Sequence, residues 1–196
     1  DEELMRARSF FDSPDYQVMD GDHAAADLQG ACSRDAIFGN WVKRNTQAHR
    51  VPGYRIVTIS LKATGYAPGD VTAEQLELLA ELADQYSFSE IRSTHQQNLV
   101  LGDVQMSQLY DLWQRLQTAG LATPNIGYLT DIICCPGGDY CSLANAKSLP
   151  VAEAIQARFD DLDYVYDLGP LELNISGCMN ACGHHHIGHI GILGVD

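Results

Sequence analysis

Two short cysteine-containing segments constrain this chain more than any other feature. The segments CPGGDYC (135–141) and CMNAC (178–182) hold four of the six cysteines and are separated by thirty-six residues. Both lie among glycines, and the second continues into GHHHIGHIG. Clustered thiols in a chain without a secretion signal indicate metal or redox chemistry more than a disulfide scaffold. The fold therefore has to bring two distant loops together around a bound centre.

The spacing of the cysteines bears on the size of that centre. Structural zinc sites usually pair ligands that are two to four residues apart. The first pair here is separated by five residues, which makes a wider loop and favours a cubane iron–sulfur cluster. The flanking glycines would let backbone N–H groups approach the sulfides of such a cluster. Zinc and a disulfide pair remain the alternatives on spacing alone.

The other thiols and the histidines are weaker candidates. Cys32 and Cys134 lie outside the pattern, and we expect buried or incidental thiols there. Because Cys134 directly precedes Cys135, spacing does not decide which of them is a ligand. His184–His186 and His189 suit a transition metal. Three consecutive side chains cannot all reach one site, so we expect most of them to pack beside a cofactor.

The middle of the chain shows alternating strand and helix patterns. The stretch YRIVTISLK (54–62) alternates apolar and polar residues, which predicts a half-buried strand with Lys62 on its polar face. A Thr72–Gln75 capping box begins a helix. EIRSTHQQNLVL (90–101) predicts a second strand, and MSQLYDLWQRLQTAG (106–120) predicts a second helix. This order predicts an α/β sandwich half-domain with helices on one face of a sheet.

We predict three segments along the chain. Residues 1–35 are polar and contain turn signals, which predicts a linker or extended arm with little regular structure. Residues 36–122 form the half-domain. Residues 123–196 form a second α/β unit, in which strands at IGYLTDIIC (126–134) and LELNISGC (171–178) end at the two cysteine pairs. The carboxyl ends of such strands are where α/β sheets usually carry their sites.

Charge excludes some classes of partner. Twelve basic and 26 acidic residues give a net charge of −14, which argues against binding nucleic acid or an anionic membrane surface. No apolar run reaches about 18 residues, so we expect no membrane-spanning helix. The opening DEELMRARSF has no signal-peptide core, which predicts a cytoplasmic protein. The chain lacks an initiator Met and stops after IGILGVD, so we expect a piece of a longer protein.

The cysteine segments resemble the cluster motif of the sirohaem-dependent nitrite and sulfite reductases. CPGGDYC followed by SGCMNACGHHH matches that family's Cys-x5-Cys and Cys-x3-Cys pattern. The stretches VPGYRIVTISLK, APGDVT and IRSTHQQNLVL are similar to the second of the family's two pseudo-symmetric repeats. The resemblance covers residues 36–196 and is closest to the assimilatory sulfite reductase haemoprotein. It implies an α+β chain, with a ferredoxin-like half-domain followed by part of a sirohaem- and [4Fe–4S]-binding domain.

The resemblance implies roles for individual residues. The proposed cluster ligands are Cys135, Cys141, Cys178 and Cys182. Cys182 would also bridge to the sirohaem iron, and Asn180 would lie close to the macrocycle. The family spacing selects Cys135 over Cys134.

A second motif resembles a strand that lines the sirohaem pocket. Its residues are Arg92, Thr94, Gln97 and Asn98. The alternative for these side chains is a hydrogen-bond network at the end of a strand.

The resemblance implies a reductase that delivers six electrons to sulfite, forming sulfide, or to nitrite, forming ammonia. The implied electron donor is ferredoxin or a flavoprotein subunit. We expect no catalytic residue within this chain, because the family's substrate-binding cations, arginines and a Lys-x-Lys pair, belong to its first repeat and the region after it. The remainder of the enzyme is therefore an expected partner, and we expect the piece alone to be inactive. Two other classes stay open: an electron-carrying iron–sulfur module and a zinc-stabilised interaction domain.

Overall fold

A computed structural model describes residues 1–9 and 14–195. The helices are α1 (Glu2–Ser9), α2 (Gly21–Arg34), α3 (Ala36–Asn45), α4 (Ala73–Tyr86), α5 (Leu109–Thr118), α6 (Leu149–Arg158) and α7 (Leu162–Leu168). The strands are β1 (Thr46–Ala48), β2 (Tyr54–Ile59), β3 (Arg92–Ser93), β4 (Leu99–Gln105), β5 (Ile133–Cys134), β6 (Leu173–Ser176) and β7 (Ile190–Leu193). Short 3₁₀ turns lie at Met106–Gln108 and Gly137–Asp139. The architecture is α+β, as predicted.

The first unit is an antiparallel sheet with helices packed on one face. Its strands run in the order β1-β2-β4-β3. Apolar residues of β2 and β4 form one core with those of α3, α4 and α5. The predicted capping box is present, because the Thr72 hydroxyl accepts from the Gln75 N–H and the Gln75 side chain accepts from the Thr72 N–H.

The stretch YRIVTISLK differs from the prediction of one half-buried strand, because β2 ends at Ile59 and the polar residues after it are buried. Ser60 and Lys62, assigned to a polar face, are each 1% exposed. The Ser60 hydroxyl donates to Asn125 Oδ1 at 2.7 Å, so part of the chain after residue 122 packs against the sheet at this position. Alternation predicted the two faces correctly but could not show that both are covered.

The second predicted strand, at residues 90–101, is wrong in its extent, because the chain forms a hairpin there. Strand β3 ends at Ser93 and β4 begins at Leu99. Thr94 N–H donates to the Asn98 carbonyl at 2.9 Å, which closes the turn between them. Gln97 adopts a positive φ of 59° within this turn. The polar Thr-His-Gln-Gln-Asn sequence favours such a turn over a continuous strand.

The expectation that residues 1–35 lack regular structure is wrong for the described part of that segment. Asp20 caps α2 by accepting from the N–H groups of Asp22 and His23. Leu28, Ala31 and Cys32 of α2 then pack against the core of the first unit. The helix forms because one cap and one apolar stripe outweigh the polar composition of the segment. The predicted boundaries at residues 35 and 122 stay predictions.

The second unit is a three-stranded parallel sheet in the order β5-β6-β7. The strand predicted over residues 126–134 is only β5, since tight turns close at Asp131 and Tyr128 before it. Both cysteine segments begin at the carboxyl ends of β5 and β6, as predicted, and these strands are neighbours. Within residues 1–9 and 14–195, no helix is long and apolar enough to cross a membrane.

Candidate functional site

The parallel pairing of β5 with β6 brings the two cysteine segments side by side. Cys134 is in register with Ile175, and Cys135 N–H donates to the Ile175 carbonyl at 3.0 Å. Two residues after Ile175, Gly177 N–H donates to Cys135 Sγ at 3.0 Å. A backbone N–H directed at sulfur is a hydrogen bond of the kind that cysteine ligands of metal centres accept.

The four predicted ligands run from the interior to the surface. Cys135 and Cys178 are each 8% exposed, Cys141 is half-buried and Cys182 is exposed. All of them, like Cys32 and Cys134, are free cysteines. Within the described part of the chain, no three Cys, His, Asp or Glu side chains are close enough to hold a single metal ion.

Glycines bring the two segments together by removing side chains between them. A Cβ on Gly177 would lie 2.9 Å from the Gly137 Cα, and a Cβ on Gly137 would lie 2.5 Å from the Ser148 backbone nitrogen. The Gly177 carbonyl accepts from the N–H groups of Asn145 and Ala146 at 2.8 and 3.0 Å. The glycines therefore let both cysteine loops pack on each other and on residues 144–148.

Gly183 lets the turn after the second cysteine pair approach the point where β5 pairs with β6. A Cβ there would lie only 1.9 Å from the Ile175 carbonyl oxygen, the same oxygen that accepts from Cys135. Gly183 N–H donates to Ser176 Oγ at 3.1 Å. Ala181, just before Cys182, has a φ of +57°, so the chain turns sharply between the second pair of cysteines.

Cys134 and Cys135 lie in opposite environments although they are adjacent. Cys134 is 1% exposed and belongs to the core of the second unit, and its thiol donates to the Cys135 carbonyl at 3.2 Å. Burial raises the pKa of Cys134 to about 12. A cysteine held as a neutral thiol is a poor metal ligand. These contacts favour Cys135 as the ligand, which is also the cysteine that the resemblance to the family selects.

The second motif falls on the β3–β4 hairpin. Arg92 is exposed, and its Nε lies 2.6 Å from Glu90 Oε1. Thr94 Oγ1 accepts from the Asn98 N–H. Asn98 is 2% exposed, and its side chain accepts from Leu61 N–H at 3.1 Å and donates to Asp131 at 2.9 Å. For Asn98, the contacts are those of the hydrogen-bond network considered as the alternative.

Gln97 makes two hydrogen bonds to a single residue of the second unit. Its Nε2 donates to the Cys134 carbonyl at 2.8 Å, and its Oε1 accepts from the Cys134 N–H at 3.0 Å. Both polar atoms of the amide are thus engaged one residue before the first predicted ligand.

A groove of about 570 Å³ lies between the hairpin and the second sheet. Thr94 and Asn98 line it from one side, and Asn174 and His184 from the other. Asn174 is 2% exposed, and its Oδ1 has no hydrogen-bond partner among the described residues. Sequence reasoning missed Asn174, because nothing in LELNISGC distinguishes it from other strand residues.

The remaining predicted residues are dispersed. Asn180 is exposed on the turn between Cys178 and Cys182. His189 Nδ1 accepts from the Glu172 N–H at 3.1 Å. Of the histidine run, His184 faces the groove, whereas His185 has a buried Nδ1 without a partner in residues 1–9 and 14–195. The His186 ring lies 6.3 Å from that of His184 and 5.5 Å from that of His185, but within residues 1–9 and 14–195 no three such side chains could hold one metal ion.

Lys62, which the sequence analysis placed on the polar face of a strand, is buried in an ion pair. Its Nζ lies 3.4 Å from Asp131 Oδ1 and donates to the Gln96 carbonyl at 2.6 Å. Burial lowers the pKa of Lys62, and the facing Asp131 carboxylate opposes that shift. The ion pair joins the first unit to the segment that leads into β5.

Comparison with known proteins identifies the family to which this fold belongs. Residues 48–119 match the family model described as the nitrite/sulfite reductase ferredoxin-like half domain. This chain belongs to the nitrite/sulfite reductase family. The match covers β2, α4, the β3–β4 hairpin and α5, which confirms the predicted half-domain fold.

Curated relatives align with more of the chain than the family model does. "Sulfite reductase [ferredoxin] 2" of Mycolicibacterium paratuberculosis is 30% identical over 140 residues, 68% of this chain and 25% of the relative. "Ferredoxin--nitrite reductase, chloroplastic" of Betula pendula is 26% identical over 176 residues, 86% of this chain and 28% of the relative. The chain thus spans about a quarter of the length of the relatives it matches.

A solved structure supports the same fold. The Mycobacterium tuberculosis NirA protein superposes with a TM-score of 0.58 at 26% identity, covering 72% of this chain and 25% of that one.

Proposed function

We propose that this chain is part of a reductase that converts sulfite to sulfide with six electrons, using a [4Fe–4S] cluster coupled to sirohaem. The observation that carries the proposal is the pairing of β5 and β6, because both cysteine segments begin at the same edge of this sheet, within a nitrite/sulfite reductase fold. The remainder of the enzyme, with its substrate-binding cations, would be supplied by chain outside this sequence.

The residues at this edge suit an iron–sulfur cluster. The proposed ligands are Cys135, Cys141, Cys178 and Cys182. Cys135 accepts a backbone N–H from Gly177, and hydrogen bonds of this kind tune the potential of thiolate-bound clusters. When bound, the cluster would supply one-electron transfer, while these residues hold and orient it.

Cys182 is the proposed link to sirohaem. It is exposed, whereas Cys135 and Cys178 are buried, which supports contact of this residue with a second group at the surface. Asn180 is exposed on the same turn and is the proposed neighbour of the macrocycle. The sharp turn at Ala181, with φ of +57°, presents both residues at the surface of the molecule.

The hairpin residues stand differently toward sirohaem. Arg92 is exposed and Thr94 lines the groove, which supports contact with a cofactor carboxylate. Gln97 and Asn98 were proposed with them, but their amides are already bonded to protein groups. For these two, the contacts favour a supporting role over direct contact.

Nitrite reduction to ammonia is the second candidate. The sulfite reductase relative is more similar in identity, 30% against 26%, but the nitrite reductase relative aligns over more of the chain, 86% against 68%. The names of both relatives include ferredoxin, which supports ferredoxin as the donor over a flavoprotein subunit. A cytoplasmic location remains part of the proposal.

Turnover of the full-length protein tests this function. With reduced ferredoxin as donor, we expect sulfide from sulfite, and nitrite to be the slower substrate. Faster release of ammonia from nitrite would replace the first candidate by the second. Absence of turnover on both anions by protein that contains iron, sulfide and sirohaem would overturn both. The chain of residues 1–196 alone is the matched comparison, and we expect it to be inactive.

A further inference from the structure

We propose that Gln97 is a positioning residue for the cluster. Through this side chain, the ferredoxin-like half-domain fixes the position of Cys135, the first proposed cluster ligand. The inference rests on the proposed function, because it takes Cys135 as a ligand. It adds a role for the half-domain at the cluster that the cysteine motif does not contain.

The position of Gln97 follows from the geometry of β5. Cys135 N–H bonds to Ile175 in β6. Alternate residues of a strand direct their backbone groups to opposite sides, so the N–H and carbonyl of Cys134 point away from β6. Gln97 bonds to both of these groups, at 3.0 and 2.8 Å. Its side chain therefore occupies the place that a neighbouring strand would take.

The need for this contact comes from the length of β5. The strand has only two residues, and Cys134 is 1% exposed. Without Gln97, the N–H and carbonyl of Cys134 would lose their partner in a site with little access to water. A buried backbone group without a partner is costly, so the strand would move or fray. Cys135 is the next residue and would move with it.

The turn that carries Gln97 is itself held in place. Gln97 has a φ of +59°, which is uncommon for a residue with a side chain. Its Cβ lies close to Gly69, where an added Cβ would approach within 3.0 Å. The next residue, Asn98, bonds to Leu61 and to Asp131. A strained residue fixed by neighbours on both sides is a rigid support, and such residues often occur at functional sites.

Hydrogen exchange gives a test that does not depend on the cofactors. In cluster-free full-length protein, we expect the Cys134 amide to exchange faster in Gln97→Ala than in wild type, because its acceptor is removed. Gln97→Gly removes the same side chain but eases the positive φ, so it keeps the turn intact. Faster exchange in both variants supports the inference that the Gln97 side chain holds the backbone of Cys134. Unchanged exchange in Gln97→Gly would overturn it.

Cluster retention tests the consequence at the metal. Loss of a residue that supports a metal ligand typically weakens binding by 10–100-fold, so we expect iron to be lost to a chelator roughly that much faster in Gln97→Gly. Gln97→Glu keeps an acceptor for Cys134 N–H but loses the donor to its carbonyl, so its rate should fall between the two. Gln96→Ala, on the same turn, is the control and should match wild type. Equal rates of iron loss in all four proteins would overturn the inference.

A Cys135→Ser variant separates this inference from the proposed function. If Cys135→Ser keeps the cluster, the ligand assignment fails whatever Gln97 does. If Cys135→Ser loses the cluster but Gln97→Gly retains it as wild type does, the ligand assignment stands and the positioning role fails. An altered electron paramagnetic resonance spectrum of the reduced cluster in Gln97→Gly would further distinguish positioning from a general loss of stability.

Discussion

At the scale of residues, the site is defined by contrasts between neighbours in the chain. Cys134 points into the core of the second unit, while Cys135 receives a backbone N–H on its sulfur. Spacing alone could not separate them, because both satisfy a Cys-x5-Cys or Cys-x6-Cys pattern. The separation comes from the two-residue periodicity of β5, which sends adjacent side chains to opposite faces.

Separate substitution of Cys134 and Cys135 tests that contrast. In the full-length protein, Cys135→Ser should abolish bound iron and acid-labile sulfide, because serine is a poor ligand for the cluster. Cys134→Ala should leave both unchanged. Iron and sulfide analysis of anaerobically purified protein measures the outcome. Loss of the cluster in Cys134→Ala, with retention in Cys135→Ser, would reverse the assignment.

Lys62 gives a second prediction at this scale. Lys62→Met leaves the Asp131 carboxylate, 6% exposed, without its cation. Removing one partner of a buried ion pair costs about 3–5 kcal/mol. We therefore expect the two units to unfold at a lower urea concentration in Lys62→Met than in wild type. Lys147→Met, which breaks an exposed pair with Asp139, should cost about 1 kcal/mol or less.

Adding Asp131→Asn to Lys62→Met provides the control for the buried pair. The double variant removes the unpaired charge, so it should recover part of the lost stability. A urea midpoint for Lys62→Met equal to that of Lys147→Met would show that the pair contributes nothing.

At the scale of elements, the sequence predicted helices and strands well where one face of the element is continuously apolar. The helix predicted over residues 106–120 is confirmed as α5, whose buried residues are Leu109, Leu112, Trp113 and Leu116. It failed over residues 90–101, because a polar turn interrupts an otherwise strand-like pattern. It also failed for α2, whose apolar contacts with the core are few. Both errors concern segments whose structure depends on partners elsewhere.

The packing of the two cysteine loops yields a prediction at this scale. A Cβ on Gly177 would lie 2.8 Å from Ser148 Oγ, 2.9 Å from the Ala146 carbonyl and 2.9 Å from Gly137. Gly177→Ala should therefore push the loops apart, at a cost of about 1–3 kcal/mol for overpacking. We expect lower thermal stability and less bound iron.

Gly102→Ala is the matched control for Gly177→Ala. It lies in β4 with nothing within 4 Å of an added Cβ, so it should be close to neutral. Iron content of Gly177→Ala equal to that of Gly102→Ala would contradict the packing argument.

At the scale of the whole molecule, two units are joined by contacts between residues far apart in the chain. Lys62 meets Asp131, 69 residues away, and Gln97 meets Cys134, 37 residues away. Arg44 of α3 lies over the ring of Tyr166, 3.3 Å from its centroid. The cysteine motif could be recognised from the sequence because each pair of cysteines lies within one short loop. The supporting contacts were not, since periodicity describes the faces of an element and not their partners.

The central claim is that Cys182 joins the cluster to sirohaem. The most direct measurement is the anaerobic visible absorption spectrum of the full-length protein and of its Cys182→Ser variant. We predict red bands of sirohaem together with the broad shoulder of the cluster in wild type, and loss of the coupled spectrum in Cys182→Ser. A Cys182→Ser spectrum identical to that of wild type would contradict the claim, as would wild-type protein, purified without air, that shows neither feature.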